Sequence, residues 1–175
     1  MNDRNVYQLA EAFNDERFAL DSYRRLIQMY SNVVLGVEHE RFEAVLANKK
    51  RMDNVVSDAD FNVDQLNWII NAYKNTVERF TDSLFPQEPY EQLTGAIEAV
   101  FNSWQNKRAS TYRKINNIPD SWGTGATIQT MVFGNLNDKS GTGVAFTRNP
   151  SNGDKELYGE YLINAQGEDV VAGIR

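Results

Sequence analysis

The first two thirds of the chain carry apolar side chains at helical spacing. After Asn62, apolar residues recur every three or four positions from Val63 to Phe80, which predicts a helix with one buried stripe. A second stripe runs from Leu93 to Trp104 and follows Pro89, a residue suited to the first turn of a helix. Weaker patterns predict four further helices, over residues 6–13, 16–30, 38–50 and 109–116.

These patterns predict a compact helical subdomain over residues 1–118, because the connections between the helices are short and polar. Both apolar stripes are expected to face the core. Ile70 in the first stripe and Phe101 in the second are therefore expected to be core residues.

The pattern changes at Pro119, where helical periodicity stops and the residues become β-branched, aromatic and separated by glycine. Three strands are predicted, over residues 127–133, 142–148 and 156–164. The turns between them are rich in glycine, asparagine and aspartate. The expected fold class is therefore α+β, a helical subdomain followed by a small antiparallel sheet over residues 119–175.

Composition narrows the functions that this chain can have. Its 175 residues suffice for one sizeable core or two small subdomains. A net charge of −6 disfavours general nucleic-acid binding, which depends on basic side chains that neutralise phosphates. The absence of cysteine excludes disulfides and thiolate chemistry. No apolar run approaches the roughly 18 residues that span a bilayer and the amino terminus is polar, so a cytoplasmic protein is expected.

The third predicted strand carries the chain's most promising polar side chains. Strand alternation places Glu160 and Asn164 on one face, where a carboxylate and an amide oxygen suit Mg²⁺ that bridges nucleotide phosphates. A solvated strand face would show the same spacing.

The segment after this strand is acidic, and it leads to a terminal arginine. Glu168 could hold a second Mg²⁺ or a ribose hydroxyl, whereas an exposed connection is the plain alternative. Arg175 could form a bidentate contact with phosphate, or it could fray as a chain end. The glycines at 123, 125, 141 and 143 could form anion-binding nests or simply permit tight hairpins. No Gly-Lys-Ser/Thr follows them, so a P-loop is excluded.

Two carboxyl-terminal segments resemble the nucleotide-binding domain of the pyruvate phosphate dikinase family: SGTGVAFTRNP (residues 140–150) and GEYLINAQGEDVVAGIR (residues 159–175). The likeness continues through most of the chain in an ordered series of segments, at residues 15–30, 33–43, 85–93, 99–116 and 122–135.

The resemblance implies that the chain is an internal fragment of an amino-terminal ATP-grasp domain. Members of the family interconvert ATP, phosphate and pyruvate with AMP, pyrophosphate and phosphoenolpyruvate through a phosphohistidine. By this likeness Glu160, Gln166 and Arg175 bind ATP, and Glu160 and Glu168 bind Mg²⁺.

The resemblance also implies that large parts of the enzyme lie outside this chain. The phosphohistidine and pyruvate domains are among them, and the sole histidine, His39, does not match the phosphocarrier. No catalytic residue is therefore expected here, and the fragment is expected to be inactive alone. The parent is expected to be a homodimer or larger. The alternative is a stand-alone binding or regulatory module that derives from such a domain and has lost its chemistry.

Overall fold

The computed structural model describes residues 1–171 and confirms the α+β fold class. The described elements, in chain order, are α1 (Asn5–Phe13), α2 (Glu16–Val33), α3 (His39–Asp53), a 3₁₀ turn (Asp58–Asp60), α4 (Val63–Thr81), α5 (Pro89–Ser103), α6 (Lys107–Ile115), β1 (Gly141–Phe146), β2 (Tyr158–Ile163) and α7 (Gly167–Val171). The backbone forms two compact units, Met1–Thr127 and a second unit that begins at Ile128. The assignment of residues 1–118 and 119–175 to separate functional domains stays a prediction.

The predicted helices are confirmed, and local side-chain contacts explain where several of them begin. Asp15 caps α2 by accepting a hydrogen bond from the backbone N–H of Phe18. Asn62 and Gln65 form a reciprocal capping box at the start of α4. Pro89 occupies the first turn of α5, as its fixed φ favours.

The core of the first unit lies mainly between α2 and α4. Ile70 is 4% exposed and Tyr73 is fully buried, and the Tyr73 ring meets the ring of Phe42 edge-on at 5.0 Å between centroids. The α4 stripe predicted from the sequence therefore contributes much of the core of this unit, although Phe80 at its end is 46% exposed. Its fully or nearly fully buried members are Leu66, Ile69, Ile70, Tyr73 and Val77.

The apolar stripe of α5 contributes little to this core, with only Ala96 packed against it, and the expectation that Phe101 is a core residue is wrong. Phe101 is 50% exposed and Val100 is 41% exposed. The helix instead turns a small residue, Gly95, toward α2, where an added Cβ would overlap the Tyr30 hydroxyl. Leu93, Val100 and Phe101, which are bulky members of the stripe, remain exposed.

A buried polar network joins α2, α4 and the 3₁₀ turn. Arg24 is 2% exposed, and its Nε donates a hydrogen bond to Asp21 Oδ1 at 2.8 Å. Its Nη2 lies 3.5 Å from Asp58 Oδ2, and its Nη1 donates weakly to Gln28 Oε1, which also accepts from the Tyr73 hydroxyl. The buried charges are thus paired, as their location requires.

Because of this network, the stability of the first unit depends on pH. Burial alone would raise the pKa of Asp21, but Arg24 and Arg25 outweigh burial and hold that pKa below its usual value. The folded state therefore binds the proton less well than the unfolded state does. The resulting stabilisation is complete above the unfolded pKa of about 4 and is lost as the pH falls through the lower folded value.

We expect Asp21→Asn to reduce the acid-induced loss of stability of the first unit. The free energy of unfolding, measured by urea titration at pH 7, 5 and 3, should fall less steeply with pH than in the wild type. Glu11→Gln, which changes an exposed carboxylate of α1, is the control and should keep the wild-type slope. Equal slopes for the wild type and Asp21→Asn would show that the lowered pKa of Asp21 does not cause the loss of stability in acid.

The second unit is built around one antiparallel pair, in which β1 runs from Gly141 opposite Ile163 to Phe146 opposite Tyr158. These two strands match two of the three predicted ones. The third prediction, a strand over residues 127–133, is wrong for the described residues, because none of them pairs with that segment. Ile128 and Val132 are 68% and 89% exposed there. Strand propensity alone does not make a strand when no neighbour accepts its hydrogen bonds.

Candidate functional site

Glu160 lies near the middle of β2, directly opposite Val144 of β1. Cross-strand partners share a face, so Glu160 lies with Val144, Thr142 and Leu162, each of which is half-buried. The Glu160 side chain itself is exposed. The structure therefore places an accessible carboxylate on the more protected face of the sheet.

Asn164 does not continue the alternation that was expected to pair it with Glu160. The strand ends at Ile163, and Asn164 adopts a left-handed backbone conformation with φ of 51°. Its side-chain amide donates to Asp138 Oδ1 at 3.2 Å, and its backbone N–H donates to the Ser140 carbonyl at 2.8 Å. Asn164 thus ends the strand and anchors the loop before β1.

The acidic segment after β2 forms the short helix α7. The backbone N–H of Gln166 donates to Asp169 Oδ2 at 2.8 Å, so the Asp169 carboxylate holds the start of this helix. Gln166 is half-buried, whereas Glu168 is exposed on α7. An amide and a carboxylate therefore follow one another directly after the strand that carries Glu160.

The glycines around Thr142 serve the strand pair rather than a loop. An added Cβ on Gly141 would lie 2.9 Å from the Leu162 carbonyl oxygen, and one on Gly143 would lie 2.8 Å from that of Glu160. Only glycine allows the partner strand to come this close. Both glycines lie within β1 and not at the tight hairpin turn that was the plain expectation for them.

Sequence reasoning missed the role of Thr142. Its Oγ1 donates a hydrogen bond to the Ala165 carbonyl at 2.7 Å, across 23 positions of sequence. A threonine between two glycines in a strand gives no local signal of such a contact. Only the pairing of β1 with β2 brings the two residues together.

Among the described residues, the predicted metal ligands Glu160 and Glu168 belong to no group of three or more potential metal ligands. Within residues 1–171, no group of three or more histidine, aspartate or glutamate side chains is arranged to hold a metal ion. Mg²⁺ in nucleotide sites commonly uses one or two carboxylates and completes its shell with phosphate oxygens and water. A single exposed carboxylate, such as that of Glu160 or of Glu168, fits that chemistry. Arg175, the predicted phosphate contact, lies outside the described residues.

Residues 41–175 match the family model described as pyruvate phosphate dikinase, AMP/ATP-binding domain. The chain belongs to this family.

Similar proteins extend the likeness over all 175 residues. The chain is 55% identical to pyruvate, phosphate dikinase of Rhizobium meliloti (strain 1021) and 53% identical to that of Clostridium symbiosum, and it covers 20% of each. It is 51% identical to pyruvate, phosphate dikinase 1, chloroplastic, of Arabidopsis thaliana and covers 18% of it. The chain thus spans about a fifth of the length of these relatives. Among residues 1–171, no helix has the length and apolar character needed to cross a membrane.

Proposed function

We propose that this chain forms one wall of the Mg-ATP site in a pyruvate phosphate dikinase. The parent enzyme interconverts ATP, phosphate and pyruvate with AMP, pyrophosphate and phosphoenolpyruvate. The observation that carries the proposal is the match of residues 41–175 to the AMP/ATP-binding domain, supported by 55% identity to a dikinase over the whole chain.

In this proposal, β2 and the segment that follows it supply the ligands for the triphosphate and its metal. Glu160 is the principal Mg²⁺ ligand, because its carboxylate is exposed at the middle of β2. Gln166 contacts the nucleotide from the turn after β2, Glu168 is a second carboxylate ligand, and Arg175 clamps the phosphates. When bound, Mg²⁺ neutralises charge on the phosphate oxygens.

In phosphoryl transfer, the chain positions the nucleotide and stabilises the negative charge of its phosphates. Such transfers need little covalent chemistry from the residues that hold the nucleotide. We place the attacking histidine and the pyruvate site in other domains of the intact enzyme, so no residue of this chain is assigned a catalytic role. We further propose an ATP-grasp architecture for the complete domain, and a homodimeric, cytoplasmic parent.

We expect the isolated chain to bind Mg-ATP more weakly than micromolar and to show no turnover. One wall of a site lacks the opposing groups that would exclude water and complete the phosphate contacts. Calorimetric titration of the 175-residue chain with Mg-ATP measures this directly, and Glu160→Gln serves as the control for heat that does not arise at the site. Micromolar affinity of the wild-type chain would show that the site is complete without further domains.

A further inference from the structure

The turn after β2 is fixed by backbone and side-chain contacts to two earlier segments of the second unit. The Ala165 N–H donates to the Gly134 carbonyl at 3.1 Å, and the Ala165 carbonyl accepts from Thr142 Oγ1 at 2.7 Å. Both polar backbone groups of Ala165, which is 7% exposed, are therefore satisfied by residues far away in sequence. We call Gly134, Thr142 and Ala165 the Ala165 clasp.

The clasp leaves no space for a larger residue at Gly134. Gly134 is buried, and an added Cβ would overlap both Thr142 Oγ1 and the Ala165 carbonyl oxygen. It would also lie 2.9 Å from the Gly141 carbonyl oxygen. The loop backbone at Gly134 therefore closes directly onto the threonine hydroxyl and its acceptor.

The peptide unit between Ala165 and Gln166 is held at both of its polar atoms. Its carbonyl, that of Ala165, accepts a hydrogen bond from the Thr142 hydroxyl at 2.7 Å, and its N–H, that of Gln166, donates to Asp169 Oδ2 at 2.8 Å. Thr142 and Asp169 therefore fix the backbone from which the Gln166 side chain projects.

We propose that Thr142 is a positioning residue for ATP binding, which acts through Gln166 without touching the nucleotide. This inference rests on the proposed function, in which Gln166 contacts ATP. Thr142 fixes the peptide unit between Ala165 and Gln166 and so directs the Gln166 side-chain amide toward the nucleotide. Displacing a binding group by about 1 Å can cost up to about 100-fold, so a partial displacement should cost about 10-fold.

The expected effect falls on the KM for ATP rather than on kcat. A contact made equally with bound substrate and with the transition state changes KM alone when it is lost. In the intact dikinase that carries this chain, Thr142→Val removes the hydroxyl while keeping the side-chain volume, and should raise the KM for ATP about 10-fold. Thr142→Ser restores the hydroxyl and should return KM close to the wild-type value. Thr147→Val, which removes an exposed hydroxyl just beyond β1, is the matched control.

A double-mutant cycle with Gln166→Ala separates positioning from general damage to the fold. If Thr142 acts through Gln166, the effect of Thr142→Val on KM disappears when Gln166 is already alanine. If Thr142→Val does not fold, Thr142→Ala takes its place in the same cycle.

Each outcome of the cycle has a distinct meaning. The positioning role is overturned if Gln166→Ala raises the KM for ATP and Thr142→Val either leaves KM unchanged or raises it by the same factor with and without Gln166→Ala. The proposed function then stays intact. An unchanged KM with Gln166→Ala would remove Gln166 from the proposed ATP site, and the role of Thr142 would be overturned with it.

Discussion

Replacing Glu160 by glutamine in the intact dikinase is expected to abolish the ATP half-reaction and to spare phosphoryl exchange with pyruvate. Glutamine keeps the size of the side chain but removes the charge that would bind Mg²⁺ on the triphosphate. Even residues that only support a metal ligand are worth about 10–100-fold, so loss of the ligand itself should slow histidine phosphorylation by ATP at least about 100-fold. Transfer of radiolabel from the γ- or β-phosphate of ATP to the enzyme, and exchange between pyruvate and phosphoenolpyruvate, report the two half-reactions separately.

Glu156→Gln is the matched control for this experiment. It makes the same chemical change on an exposed carboxylate of the same hairpin, just before β2. Its expected rate of histidine phosphorylation is that of the wild type. Survival of ATP-dependent phosphorylation in Glu160→Gln would show that the metal is held elsewhere.

Replacing Ile70 by aspartate is expected to unfold the helical unit or to bring it close to unfolding. Ile70 is 4% exposed in the cluster between α2 and α4, so the new carboxylate would be buried without a partner. An uncompensated buried charge costs about 3–5 kcal/mol, a large part of the 5–15 kcal/mol that stabilises a typical domain. Urea unfolding followed by circular dichroism at 222 nm, a wavelength that reports helix, measures the loss.

Phe101→Asp provides the contrasting substitution on α5. Phe101 is 50% exposed, so the same change in charge should alter the free energy of unfolding by no more than about 0.5–1 kcal/mol. Equal destabilisation by the two substitutions would mean that the α5 stripe is buried in solution. An unchanged melt for Ile70→Asp would contradict the core assignment.

The sequence predicts the helices of the first unit because their signals are local. The period of the α4 stripe and the caps at Asp15 and Asn62 lie within a few residues of the elements that they define. The strand expected over residues 127–133 fails for the opposite reason. A strand depends on a neighbour that need not be near in sequence, and apolar alternation says nothing about whether that neighbour is present.

The side that a helix buries is also less predictable than the helix itself. The spacing of α5 is correctly helical, but the small residues Gly95 and Ala96, rather than the exposed bulky members of the stripe, lie against the rest of the unit. At the candidate site, Glu160 is exposed on its strand as a ligand must be, and the likeness to the dikinases was needed to single it out. The hydrogen bond from Thr142 to Ala165 joins residues 23 positions apart, and it becomes visible only through the register of β1 and β2.

The outward stripe of α5 separates two properties that usually change together. Exposed apolar area promotes precipitation and adhesion to surfaces, whereas resistance to unfolding depends on what is buried between α2 and α4. Polar replacement of Phe101, which is 50% exposed, is therefore expected to raise the concentration that a sample of this chain can reach, at a cost of no more than about 0.5–1 kcal/mol in the free energy of unfolding.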